Sequence, residues 1–213
     1  MSSTSFAIVA HSSRLQQTLA LATAVGGASL WFDDGTLGCE RNHQRAWEWH
    51  RQNTTHGWAI VLEDDAVPVP DFTAQLRTAL DVARSPVVSL YLGTSRPPAW
   101  QPRVRDATTA ANEHDASWIV GPQLLHAVGV AIHSDYVPAL CDWLPATKCP
   151  VDQAIAAWAV TWQHDVAYTW PSLVDHADDD TIAEHHDGSP RTEPRKAWRT
   201  GTRTTWTSRT VHM

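Results

Sequence analysis

Three adjacent acids, Glu63, Asp64 and Asp65, are the residues best placed to do chemistry. They follow Trp58 to Leu62 (WAIVL), an unbroken apolar run of the kind found in strands covered on both faces of a parallel sheet. The carboxyl ends of such strands are where open α/β sheets bind ligands, because the loops diverge there and leave a crevice. Neighbouring carboxylates repel one another, and a hard divalent cation with oxygen ligands is the usual reason to keep three together. Mg²⁺ or Mn²⁺ held there would neutralise a diphosphate. The plainer alternative is a solvated turn ahead of Pro68.

A scaffold must hold those acids. The chain has 213 residues, 43% of them apolar, enough for one domain with a substantial core. Disorder throughout is excluded. No apolar run approaches the roughly 18 residues of a membrane span, and Met1 to Arg14 lacks a targeting pattern, so a soluble, cytoplasmic protein is expected. Cys39, Cys141 and Cys149 are too few and too unevenly spaced for a disulfide framework or a paired-cysteine zinc site. The net charge of −7 is uneven: from Arg191 to Met213 six basic residues face one acid, so this tail carries +5 and the remainder −12. Such asymmetry divides the chain into a domain over 1–190 and a basic tail over 191–213 that meets an anion or is simply solvated.

The pattern along the chain alternates. Phe6 to Ala10 reads as a strand, Leu15 to Val25 as a helix burying Leu15, Leu19 and Ala22, and Ser29 to Phe32 as a second strand ending in Asp33 and Asp34. Gly38 to Gln52 is helical, with Cys39, His43, Ala46, Trp47 and His50 on one face. After WAIVL, Asp71 can cap a helix from Phe72 to Arg84, and Val87 to Leu92 is another strand. Thr94 to Arg105 reads as a loop. Strands at Ser117 to Val120 and Ala127 to His133, helices at Tyr136 to Trp143 and Pro150 to Gln163, and a strand at Val166 to Trp170 follow. Beyond that point, little regular structure is expected. The whole predicts an α/β sandwich with a mainly parallel central sheet and an irregular basic tail.

Several motifs, in order, resemble glycosyltransferase family 25. They are Gly38-Cys39, Asn42-His43 and Trp47, then Val61-Leu62-Glu63-Asp64-Asp65, Pro70-Asp71-Phe72, Gly129 to Leu140 (GVAIHSDYVPAL) and Pro150-Val151-Asp152-Gln153. The resemblance implies a GT-A type, Rossmann-like fold, a nucleotide-sugar donor, most simply a UDP-sugar, and Mn²⁺ or Mg²⁺. Asp65 would then be a direct metal ligand, with Glu63 or Asp64 reaching the donor ribose or the metal's waters. Asp152 would be the base that takes a proton from the acceptor hydroxyl, which implies inversion; a helix-capping role can coexist with it. His176 sits where many GT-A enzymes complete the metal shell, within an acidic stretch whose His185 and His186 read as surface residues. His43 matches a family histidine, although Asn42 stands where serine is usual, and a buried histidine is commonly structural. Arg14 at the end of the first strand could touch the diphosphate or begin an exposed helix, and Asp33 shares that edge. The span from Ala10 to Gly38 is shorter than in the family, implying a trimmed base pocket.

Two segments combine arginine with tryptophan: Arg96 to Arg105, with Trp100, Arg103 and Arg105 between, and Arg191 to Arg209. Cations interleaved with aromatics suit nucleic acid. One expectation is therefore an acceptor in double-stranded DNA, a hydroxylated base as in the sugar-decorated genomes of some bacteriophages, met by Arg96, Trp100, Arg103, Arg105, Arg199 and Arg203. Another makes the tail a lid whose Arg195, Lys196 or Arg199 closes over the donor, with a saccharide, lipid-linked sugar or protein hydroxyl as acceptor. From other classes come a metal-dependent phosphohydrolase and a non-catalytic nucleic-acid-binding module, the latter hard to square with 23 acids.

Overall fold

A computed structural model of the protein describes residues 2–178 and 193–213, so His185, His186 and Arg191 lie outside the described residues. Strand β1 (Thr4–His11) leads through α1 (Leu15–Ala24) to β2 (Ser29–Asp33), and α2 (Cys39–Asn53) leads to β3 (Trp58–Glu63). Then come β4 (Ala66–Pro68), α3 (Phe72–Leu80), β5 (Val87–Ser89), α4 (Gln101–Glu113), β6 (Trp118–Gly121) and β7 (Gly129–His133). The order closes with α5 (Val137–Trp143), α6 (Val151–Thr161), β8 (Val166–Thr169), β9 (Val174–His176) and β10 (Thr210–His212). No helix among the described residues is long and apolar enough to cross a membrane.

The described residues form an eight-stranded sheet in the order β10-β6-β8-β5-β7-β3-β1-β2, with β4 and β9 paired beside it. Four of its seven pairings are parallel, and β7 runs antiparallel to both neighbours. The expected α/β sandwich is therefore present. Strand alternation builds its two cores. Phe6, Ile8, Ala10, Trp58, Ile60 and Leu62 face one layer, with Leu21 of α1 and Phe72 and Leu76 of α3. Ala7, Val9, Ala59 and Val61 face the other, with Trp47 of α2, Val104 of α4, Leu140 of α5 and Trp158 of α6. A period of two sends successive side chains to opposite faces, so a strand covered on both sides must be apolar throughout.

Some elements differ from expectation. In α1, Leu15 and Leu19 are both 44% exposed, while Thr18, Leu21 and Val25 are buried. Two stripes of similar helical spacing compete there, and Thr18 tolerates burial because its hydroxyl donates to the Arg14 carbonyl at 2.9 Å. Asp71 precedes α3 in the left-handed region at φ 55° without a side-chain cap, and α3 stops at Leu80 rather than Arg84. Residues 101–105 are helical rather than loop. Pro102 lies in the first turn of α4, where a missing N–H costs nothing.

The basic tail is largely irregular, but it is packed against the body. Its strand β10 extends the sheet in parallel with β6, and residues 197 and 200 bridge to Gly93 and Ser172. Trp206 is buried against Trp118, with its indole N–H donating to Gln75 Oε1 at 2.9 Å. We therefore expect Trp206→Ala to lower unfolding free energy by about 3–5 kcal/mol in urea denaturation. A change within about 0.5 kcal/mol, as for an ordinary surface residue, would mean that the tail is not part of the folded body.

Candidate active site

Strand geometry separates the three acids that are neighbours in sequence. Glu63, in phase with Ala59 and Val61, faces the α2 and α6 layer, and Asp64 turns to the opposite side. Asp65 lies in the turn that follows. Order β2-β1-β3 sets the carboxyl ends of β1 and β3 side by side, with α1 and α3 on one face of the sheet and α2 on the other. Arg14 reaches that edge from the loop after β1, and the acids reach it from β3.

Arg14 is shared by two of the acids. Asp64 uses both oxygens within the protein: Oδ2 accepts the His11 backbone N–H at 2.8 Å, and Oδ1 accepts Arg14 Nη1 at 2.8 Å. Asp65 Oδ2 accepts the same Arg14 nitrogen at 3.0 Å and lies 3.3 Å from His176 Nε2. Asp65 Oδ1 is buried without a hydrogen-bond partner among the described residues. Burial, followed by the charges of Glu63 and Asp64, pushes the Asp65 carboxyl up to about 7, against the pull of Arg14 and Arg195. Arg14 is thus a buried partner of the acids and does not begin an exposed helix.

On the other face, His43 Nε2 stands 3.4 Å from Glu63 Oε1. Burial works against a charged imidazole, yet Cys39 and Glu63 outweigh it and raise the His43 pKa to about 10. Burial likewise favours a neutral Glu63, but His43, then His176 and His126, hold it below the usual carboxylate range. Asp152, half-buried in the first turn of α6, senses the same two groups: burial and then Glu63 push it up to about 6. Its Oδ1 also accepts the Gln153 N–H at 2.8 Å, so it satisfies one open amide of the helix start as well.

His176 reaches the site through β9, a strand that the sequence pattern does not predict. Ala66 of β4 pairs with His176, which sets the ring beside Asp65. From the tail, Lys196 Nζ donates to the His176 carbonyl, and Arg195 approaches Asp178 at 3.5 Å while acting on the charge of Asp65. Asp33 serves the backbone instead. Its carboxylate accepts the N–H groups of Leu37 and Gly38 at 2.9 Å, fixing the entry to α2, and those bonds, Leu37 first, lower its pKa.

The arginines expected to meet an acceptor lie elsewhere. Arg103 and Arg105 are on α4, which packs at the β6–β10 edge of the sheet, and Arg103 stacks over Trp100 at 5.2 Å; Arg96 precedes that helix. Arg199 donates to Asn112 Oδ1 at 2.9 Å, and Arg203 bonds Asp115 and the carbonyls of Ala116 and Trp170. Sequence reasoning missed Cys39 and His126 as members of the site. Cys39 was legible in principle, because it lies four residues before His43 on one helix; His126, whose ring lies 5.1 Å from Tyr91, had no such cue. Two shallow clefts, of about 560 and 470 Å³, lie away from the acids: one at the opposite end of β1 near Gly26 and Gly27, the other along α2 near Trp31 and Trp49.

No protein-family model matches the chain, so the likeness to glycosyltransferase family 25 has no such support, and no curated protein matches it. Among solved structures, a glycosyltransferase involved in the glycosylation of the major capsid of PBCV-1 superimposes with a TM-score of 0.34 at 10% identity, over 72% of this chain and 75% of that one. A197 from STIV gives a TM-score of 0.37 at 9% identity, over 94% and 98%. Scores this low carry no functional weight, and the side chains must supply the argument.

The linkage sign at Asp65 is testable. A carboxyl that titrates near 7 when folded, against 3.8 ordinarily, favours folding when protonated and opposes it as pH rises through that window. In chelator-treated protein, Asp65→Asn should therefore gain stability relative to wild type as pH rises from about 4 to about 7, read from urea midpoints. A difference independent of pH would make Asp65 an ordinary carboxylate.

Proposed function

We propose that the protein is a metal-dependent glycosyltransferase that moves a sugar from a nucleotide-sugar donor to an acceptor hydroxyl. One observation carries the reading: at the carboxyl end of β3, Asp65 has Oδ2 3.3 Å from His176 Nε2 and a buried Oδ1 without a hydrogen-bond partner among the described residues, with a second carboxyl of raised pKa, Asp152, beyond Glu63. A carboxylate with an imidazole fits a divalent ion such as Mn²⁺ better than Mg²⁺, which prefers oxygen alone. Asp65 would hold that ion through Oδ1; His176, whose Nδ1 accepts the Asp178 N–H at 2.9 Å and whose proton therefore sits on Nε2, would have to exchange that bond to join it, and Asp64 is committed to Arg14 and His11. Bound there, the ion would supply Lewis-acid stabilisation of a departing nucleoside diphosphate.

The chain's own groups do the rest. Arg14 fixes Asp64 and Asp65. Arg195 and Lys196, on the tail beside Asp178 and His176, would meet diphosphate oxygens. Asp152, with its pKa near 6, is mostly ionised at neutral pH and still basic enough to accept the acceptor's proton. Attack assisted by such a base inverts the anomeric centre. For the acceptor we favour a saccharide or other small hydroxyl compound over DNA, because Arg199, Arg203 and Arg209 donate to Asn112, Asp115 and His114 of the same chain. A phosphohydrolase with two metals would need Asp64 free.

The test is a panel of UDP-sugars with Mn²⁺ and simple glycosides, followed by nucleoside diphosphate release. Asp152→Asn should cut transfer roughly 10²–10⁴-fold and leave UDP affinity nearly unchanged. Wild-type turnover should fall below about pH 6 as Asp152 takes up a proton. Full transfer by Asp152→Asn, or activity that needs salt-sensitive DNA binding, would overturn the assignment.

A further inference from the structure

Cys39, His43 and Glu63 present a sulfur, an imidazole nitrogen and a carboxylate oxygen within 4.8 Å of one another. The arrangement follows from the backbone. Gly38, at φ 89°, turns the chain into α2, so Cys39 occupies its first position and His43 lies one turn later on the same face. Glu63, in phase with the residues facing α2, ends β3 directly opposite.

Two features point to an ion between these groups. His43 is 1% exposed, yet neither ring nitrogen makes a hydrogen bond among the described residues. Its Nε2 also stands 3.4 Å from Glu63 Oε1, longer than the 2.7–2.9 Å typical of a charge-assisted hydrogen bond. Two ligands each about 2.0–2.1 Å from a tetrahedral Zn²⁺ are themselves separated by about 3.3 Å. The observed spacing is that edge. Cys39 is exposed, giving the ion a route in and leaving a fourth position for water or a ligand.

We propose that Cys39, His43 and Glu63 bind a borderline divalent ion of the Zn²⁺ class. Thiolate, imidazole and carboxylate form a set suited to Zn²⁺ and poorly suited to Mg²⁺. The site faces the α2 and α6 layer, separate from Asp65 and His176, and is independent of the glycosyltransferase reading.

Titrating chelator-stripped protein with Co²⁺ tests this directly. The wild type should develop a thiolate-to-cobalt charge-transfer band in the near ultraviolet, saturating at one equivalent and displaced by Zn²⁺. Cys39→Ser, at an exposed position that leaves the fold intact, should lose the band, while Cys149→Ser and Asp65→Asn keep it. His43→Gln should weaken Co²⁺ binding at least tenfold. No band in the wild type, or a band that survives Cys39→Ser, overturns the proposal. Loss of sugar transfer with the band retained would instead count only against the glycosyltransferase reading.

Discussion

Neighbouring carboxylates can share the end of a dry strand only if nearby cations and hydrogen-bond donors offset their repulsion. That constraint organises the molecule. Strand alternation sends Glu63 toward His43 and Asp64 toward Arg14, and the following turn carries Asp65 to His176. Each partner comes from a different element: α2, the loop after β1, and β9. Parallel neighbours β1 and β3 bring the first two to the same edge, and the β4–β9 pair brings the third. The balance is incomplete, because Asp65 still has a raised pKa and one oxygen without a hydrogen bond among the described residues. A compact charge deficit of this kind is what a bound cation relieves.

The tail answers the charge asymmetry. An acidic body and a basic end suggested an external anion, but most of these cations are engaged with the body. Arg195 and Lys196 approach Asp178 and Asp175, and Arg203 meets Asp115. Such partly exposed pairs are individually weak. The attachment owes more to buried Trp206 and to β10, which extends the sheet. Tail residues at the rim of the crevice therefore belong to the same folded unit as the acids they approach.

Much of this was legible from the residues. WAIVL specified a doubly covered strand, and the spacing of His43, Ala46, Trp47 and His50 gave the buried face of α2, where Asn42 rather than Cys39 completes it. Other features depend on tertiary partners. Apolar residues surround α1, so periodicity could not choose between Leu15-Leu19 and Leu21-Val25. The strands β4, β9 and β10 are three residues each, too short for any pattern, and are defined by pairing. Arg14 looked like a surface residue because its partners, Asp64 and Asp65, are 50 and 51 positions away. The approach of His43 to Glu63 is likewise invisible until helix and strand are packed.

The central claim is that the crevice at the ends of β1 and β3 grips a pyrophosphate through a divalent ion. Calorimetric titration of UDP into the intact protein, with Mn²⁺ and again with chelator, measures that directly. The account predicts one site whose affinity falls by at least roughly tenfold, about 1.4 kcal/mol, when Mn²⁺ is withdrawn. Equal affinity in both conditions, or no binding in either, would contradict it.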